Sequence, residues 1–152
     1  MTIKQYYLRS TTLEDIMLLY RWRNELSVRK SAFRSDFVAF GEHKKWLQNS
    51  LKNGNRKIYI LMLRQSALGQ VRIDIENGVG VIDYSIDKKY RGKGLGKIIL
   101  QLLEQKVLSE KKCNTLIGYV KKENVISNKI FKSLNYMNEN NKKYFLYKKC
   151  LF

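Results

Sequence analysis

The stretch Tyr84-Ser85-Ile86-Asp87-Lys88-Lys89-Tyr90 running into Arg91-Gly92-Lys93-Gly94-Leu95-Gly96 concentrates the chemistry of this chain. A strand pattern gives way to a short basic loop and then to a glycine-rich opening of an amphipathic helix. Glycines spaced in this way let several backbone N–H groups converge on one point, where the helix dipole favours an anion and Arg91 and Lys93 add positive charge. The pattern reads as a phosphate cradle. It matches neither of two common nucleotide loops. Lys97 is followed by Ile98 where a Walker loop needs Ser or Thr, and Ile99 stands where a dinucleotide fingerprint starting at Gly94 needs a small residue. Strand alternation puts Asp83 on one face with Val81 and Ser85. Cys113 and Cys150 have no histidine nearby in sequence to activate them, so no covalent cysteine intermediate is expected.

A loop of this kind needs a strand before it and a helix after it, and the periodicity supplies both. Residues 79–86 form the strand, joined through the type I′ hairpin signal Asn77-Gly78 to residues 71–76, where Val71, Ile73 and Ile75 alternate with Arg72, Asp74 and Glu76. Leu95, Ile98, Ile99, Leu102, Leu103 and Val107 make the core stripe of the helix. Residues 58–63 read as a strand apolar on both faces, 3–9 as a first strand and 115–120 as a buried one. A short helix spans 127–135, and an aromatic strand at 144–147 pairs with Tyr136-Met137 across Asn140-Asn141. Thr11-Thr12-Leu13-Glu14 is a capping box, with Glu14 as its carboxylate, for a helix that runs to about Asn24. After a polar stretch at 29–36, read as a binding loop, a second helix carries His43, Trp46 and Leu47 on one side. The sum is an α+β sandwich with a mixed sheet.

The 152 residues are expected to form one domain, spanning 1–152. Hydrophobic residues at 44% exclude a disordered polyelectrolyte despite a formal net charge of +17. Two distant cysteines and a single histidine offer neither a disulfide framework nor a set of metal ligands, and a reducing cytoplasm fits best. Met1-Thr2-Ile3-Lys4 lacks an apolar segment, and no run approaches the roughly 20 apolar residues of a membrane span. Basic residues are spread from Lys4 to Lys149, so nucleic acid is a disfavoured partner, whereas small anions exploit the same field without a contiguous patch.

At Arg91-Gly92-Lys93-Gly94-Leu95-Gly96 the chain resembles the GNAT superfamily of N-acetyltransferases, whose acetyl-CoA pyrophosphate motif is Arg/Gln-x-x-Gly-x-Gly/Ala. Asn124-Val125-Ile126-Ser127, followed by Phe131 and Asn135-Tyr136, resembles its second segment, Asn-x-x-Ser/Ala with an aromatic and a Gly-Phe ending. The resemblance covers nearly the whole chain. It implies a GNAT-like, mostly antiparallel central sheet with helices on both faces, and direct transfer of acetyl from acetyl-CoA to a primary amine. It also implies main-chain contacts to the pantetheine arm at Ser85 and Ile86, and pyrophosphate contacts from the segment Arg91, Gly92, Lys93, Gly94, Leu95 and Gly96. Asn124, Asn128 and Phe131 line the other side of the cofactor. The chain departs from the family where many members carry a glutamate, here Val81, and a tyrosine acid, here Phe131, so the reaction that the resemblance implies makes Asp83, on the Val81 face, the candidate general base and leaves Tyr84 and Tyr119 as candidate proton donors.

The Trp22-Arg23-Asn24 element followed by His43-x-x-Trp46 resembles a GNAT branch that acetylates UDP-linked 4-amino-4,6-dideoxy sugars, including pseudaminic-acid pathway enzymes, with relatives among ribosomal-protein amine acetyltransferases. On that reading Arg23 and Arg29 neutralise a diphosphate, Asn24 belongs to the same site, and His43 and Trp46 offer a hydrogen-bonding ring and a stacking face. The alternatives are a protein or peptide amine as acceptor, and a non-catalytic CoA- or nucleic-acid-binding module. An exposed strand edge near the carboxyl end would allow a homodimer.

Overall fold

In the computed structural model, which describes residues 2–152, the chain forms β1 (Tyr6–Ser10), three helices α1 (Ile16–Asn24), α2 (Leu26–Ser31) and α3 (Phe40–Lys52), and three strands β2 (Arg56–Leu63), β3 (Ser66–Glu76) and β4 (Val79–Ile86). Then follow α4 (Leu95–Glu110), β5 (Thr115–Lys121), α5 (Val125–Ser133), β6 (Met137–Asn140) and β7 (Tyr144–Cys150). The strands make one sheet in the order β1-β2-β3-β4-β5-β7-β6, antiparallel throughout except for the parallel pair β4 and β5. This is the mixed, mostly antiparallel α+β sheet expected. Among the described residues no helix is long and apolar enough to cross a membrane.

Each face of the sheet carries its own core. Tyr59, Leu61, Val71, Ile73 and Ile82, with Leu116 of β5, point to α4 and α5, where they meet Leu95, Ile99, Leu103 and Phe131. Ile58, Ile60 and Met62 point the other way, onto Leu19 and Trp22 of α1 and Leu47 of α3. The double-faced apolar pattern of β2 is thus a strand covered on both sides. The turn between β3 and β4 has φ +50° at Asn77 and +78° at Gly78, as a type I′ hairpin requires. In α4 the buried stripe is Leu95, Ile99, Leu100, Leu103 and Val107, with Ile98 and Leu102 at its margin.

Several boundaries move. Residues 3–5 form a single 3-10 turn, so β1 starts at Tyr6. The capping carboxylate before α1 is Asp15, not Glu14: it accepts the Thr12 amide at 2.9 Å while holding both terminal nitrogens of Arg9, at 2.9 and 2.7 Å. The expected loop after α1 contains α2, whose first turn is capped by Glu25 accepting from the Val28 amide. Helix α5 starts at Val125, capped by Asn124, and ends at Ser133 with Asn135 at φ +67°. Asn135 thereby takes the left-handed position where the family motif has glycine.

Candidate active site

The pairing of β4 with β5 stops at Ile82 and Gly118, while β4 continues to Ile86 and β5 to Lys121. Beyond that rung the strands part, and the backbone groups on the facing lips, residues 83–86 and 119–121, have no strand partner across the gap. At the open end lies the start of α4. Gly92 and Gly94 have φ +78° and +76°, and a Cβ on either would meet nothing within 4 Å. The turn therefore presents its amides to open space at a helix N-terminus, as an anion requires. A phosphate on these amides with an extended arm laid between β4 and β5 fits the residues present. Gly96 serves packing instead, since a Cβ there would come within 2.6 Å of Ile130 Cδ1, and its absence lets α4 lie close on α5. The Leu95 side chain is core, leaving only its backbone to the cradle.

Two links fasten this loop to the helices on the opposite face. Trp22 Nε1 donates to Asp87 Oδ2 at 2.7 Å, while Asp87 Oδ1 caps the turn by accepting from the Lys89 amide at 2.8 Å. A hydrogen bond to a carboxylate of this kind is worth roughly 1.5–3 kcal/mol. Arg91 donates from Nε to the Ile86 carbonyl at 3.0 Å, from Nη1 to Ser27 Oγ, and from Nη2 to Glu25 Oε2 at 3.0 Å. These bonds tie Arg91 to the end of β4 and to the start of α2 beside the glycine turn. Burial alone would raise the Glu25 pKa, but hydrogen bonds from Ser27, Arg91 and the Val28 amide bring it down to about 2.

On the acceptor side, Asp83 and Ser85 of β4 face Arg72 and Gln70 of β3 in register. Gln70 Nε2 donates to Asp83 Oδ2 at 3.3 Å and to Ser85 Oγ at 3.2 Å. Asp83 is exposed at the first position past the last rung. Arg23 lies behind it on α1. Burial lowers the Arg23 pKa, the charge of Asp83 opposes this, and the charges of Arg34, Arg29 and Arg72 add to it. Arg23 Nη2 donates to the Arg34 carbonyl at 2.7 Å, but its Nη1 is buried without a hydrogen-bond partner, as is His43 Nε2, while Arg72 Nε has only an ion pair with Asp74 Oδ2 at 3.5 Å. Arg29 donates to the Ser35 carbonyl at 3.1 Å and lies over the Phe37 ring. Gln70 and Arg72 escaped the sequence reading, since cross-strand register alone brings them to Asp83.

Other expected site residues are placed elsewhere. Asn24 donates to the Val38 carbonyl at 2.9 Å and accepts the Val38 amide at 2.8 Å, so its amide group is spent on pinning the loop before α3. His43 is 2% exposed and enclosed by Tyr20 and Trp46, with ring centroids at 5.4 and 5.5 Å. Burial holds its pKa below the ordinary value, a hydrogen bond with Ile16 opposes this, and the charge of Arg23 adds to it. The Trp46 ring is taken up by His43, stacked on it, and by the guanidinium groups of Arg56 and Arg72 at 5.9 and 5.7 Å, so it offers no free stacking face. Phe131 is 2% exposed, stacked on Tyr147 and set over Gly118. It is core and not a cofactor contact. Asn128 knits the β5–α5 turn, donating to the carbonyls of Lys121, Lys122 and Asn124 and accepting from Tyr147 Oη at 2.7 Å. Asn124 does line an open cleft of about 360 Å³, shared with Ser27, Lys30, Lys121 and Ile126, between α2 and α5. Ser127, one turn into α5, shares a 2.9 Å hydrogen bond with Tyr84, whose hydroxyl burial pushes to about 12.

The family model described as the acetyltransferase (GNAT) domain matches residues 5–137. The acetyltransferase PseH of Campylobacter jejuni is 24% identical over 112 residues, covering 73% of this chain and 69% of that protein. An acetyl transferase of Salmonella typhimurium that modifies the N-terminal serine of ribosomal protein L7/L12 superposes with a TM-score of 0.84 at 18% identity, over 99% of this chain and 98% of that one. Spermidine N-acetyltransferase of Vibrio cholerae, in complex with CoA and spermine, superposes with a TM-score of 0.85 at 13% identity, over 95% and 94%.

Proposed function

The chain belongs to the acetyltransferase (GNAT) domain family, as an N-acetyltransferase whose acyl donor is acetyl-CoA, and on that premise we propose that its acceptor is the primary amine of a nucleotide-linked 4-amino-4,6-dideoxy sugar. Bound acetyl-CoA supplies the activated acetyl group. The amides of residues 92–96 hold its pyrophosphate, with Lys93 adding charge, and the unpaired lips of β4 and β5 align its arm. Asp83, steadied by Gln70, removes the proton from the incoming ammonium, so that the amine meets the thioester as a neutral nucleophile held at short range.

One observation carries the choice of acceptor: on the face that bears Asp83, Arg23 Nη1 is buried without a hydrogen-bond partner and Arg72 Nε has only the Asp74 carboxylate, with Oδ2 at 3.5 Å. Buried polar groups left unpaired are costly, and a diphosphate would satisfy the two arginines while relieving their mutual repulsion. The similarity to PseH supports the same reading. Polyamine and aminoglycoside acceptors, being cationic, meet repulsion on this face. The test incubates the protein and acetyl-CoA with parallel panels of UDP-4-amino sugars and amino-terminal peptides, reading thiol release and product mass. Acetylation of a UDP-amino sugar that drops at least about 100-fold in kcat/KM in Arg23→Ala is the expected result, in line with loss of a charged contact. Peptide acetylation alone, unaffected by that substitution, would assign the protein-amine alternative.

A further inference from the structure

Helix α2 buries no residue, so the packing of its own side chains does not set where it lies. Polar ties at its two ends do. At the start, Glu25 Oε2 accepts from Ser27 Oγ at 2.6 Å and from the Val28 amide at 3.1 Å, and Arg91 closes on the same pair, donating to Glu25 Oε2 at 3.0 Å and to Ser27 Oγ. Arg91 also donates to the Ile86 carbonyl at 3.0 Å, which fastens this end of α2 to the end of β4. At the other end the Lys30 carbonyl accepts from Nζ of Lys121, the last residue of β5, at 2.9 Å. Phe33, just after α2, adds a ring contact at 5.7 Å to Tyr144, which pairs with Lys121 in the register of β5 and β7. The strands so tied, β4 and β5, are the two that part past Ile82 and Gly118. One short helix is therefore held by its ends to both lips of the split. From Glu25 to Lys30 it rises about 7.5 Å, more than the about 4.8 Å between paired strands, so it is long enough to bridge lips that have parted.

We infer that α2 is a strut across the split and that Glu25 is the positioning residue that fixes it, setting the width of the gap that takes the arm of acetyl-CoA. The inference rests on acetyl-CoA as the donor and is independent of the acceptor. An extended arm can bond the free backbone of residues 83–86 and 119–121 only if each lip stands about one strand spacing, about 4.8 Å, from it. The ladder that would fix that distance ends at Ile82 and Gly118, and α2 takes over where it stops. The amides of the glycine turn, in contrast, are local to one segment and do not depend on the width of the gap. With its pKa brought down to about 2, the Glu25 carboxylate stays charged wherever the enzyme works, so the strut is a fixed part and not a pH switch.

The experiment measures, by calorimetry, the affinities of CoA and of 3′-phospho-ADP, which is CoA without its pantetheine arm. Glu25→Gln keeps an oxygen for the Val28 amide, and with it the cap of α2, but removes the charge that holds Arg91. CoA affinity should fall about tenfold in this variant, as expected when a preorganised site is loosened, with 3′-phospho-ADP within about twofold of wild type. Lys121→Met frees the other end while leaving the Phe33 ring contact, and should show the same pattern at about threefold. A half-exposed ion pair adds little to stability, so thermal melts of both variants should stay close to wild type. In the double variant the loss should be smaller than the product of the two, because releasing either end frees the strut. Equal losses for both ligands would put the effect on the phosphate turn or on folding, and would overturn the strut. So would an unchanged CoA affinity in Glu25→Gln, or losses that multiply fully in the double variant. A wild type that binds the two ligands equally would remove the arm from the split and the strut's role with it.

Discussion

Asp83 faces Arg72 across the register of β3 and β4, and its charge acts on Arg23 of α1. Gln70 Nε2, donating to Asp83 Oδ2 at 3.3 Å, orients the carboxylate. Replacing Asp83 with Asn keeps the hydrogen-bonding shape and removes the proposed base. Turnover should fall about 100-fold, with acetyl-CoA affinity within twofold of wild type, the usual span for a lost general base. The pH–rate profile of the variant should lose its acidic limb, and a profile like that of the wild type would exclude Asp83 from proton transfer. His43 makes a different prediction, on stability. Its pKa in the folded protein is depressed, so the unfolded chain binds the proton more readily. Stability is therefore fully present above about pH 6.5, the ordinary histidine value, and declines as pH falls below it. His43→Phe keeps a ring between Tyr20 and Trp46 and removes the titration. Its melting temperature should fall less between pH 7.5 and 5.5 than that of the wild type, and equal slopes would trace the acid lability to carboxylates instead.

Elements rather than single residues make the cradle, and the glycines show how. At Gly94 a side chain meets open space but an unfavourable φ, whereas at Gly96 it meets Ile130 and Tyr84. Gly94→Val should weaken CoA binding at least about tenfold while costing roughly 1–3 kcal/mol of backbone strain. Gly96→Val should act chiefly on stability, because α4 must move off α5. Isothermal titration with CoA beside thermal melts of both variants checks the contrast; equal loss of affinity and stability in the two would mean that the turn is only a connection. This loop was legible in the sequence because everything that makes it is local: a strand, a hairpin signal, alternating glycines and a helical stripe. Helix α2 was not, since it buries no residue and so writes no apolar periodicity. The hydrogen bonds of Asn24, Asn128 and Arg91 were not legible for a related reason. Their partners, Val38, Tyr147 and the pair Glu25 and Ser27, are supplied by tertiary structure, and a polar side chain near a motif looks alike whether it faces a ligand or a backbone. Phe131 was placed beside the cofactor by motif position, and only the sheet shows Gly118 beneath it.

At the scale of the molecule, one sheet keeps two roles apart. The face under α4 and α5 is an aromatic and aliphatic core beneath the glycine turn, the face under α1 and α3 bears Asp83 and Arg72, and in the proposed reading the two substrates meet at the split between β4 and β5. A net charge of +17 envelops both approaches. Such a field draws anions to the molecule from beyond contact distance, and salt screens it over about 8 Å at physiological ionic strength. Acetyl-CoA and a nucleotide-linked sugar are both anionic, so the KM of each should rise severalfold between about 0.05 and 0.5 M salt, while kcat, set by groups in contact at the split, changes little. A cationic peptide or polyamine would show the opposite trend, its KM falling as repulsion is screened. Steady-state kinetics across that range, with each substrate varied in turn, therefore reads the sign of the acceptor's charge before its structure is known. A KM for the acceptor that falls with salt, beside one for acetyl-CoA that rises, would place a cation against Arg23 and Arg72 and rule out the diphosphate.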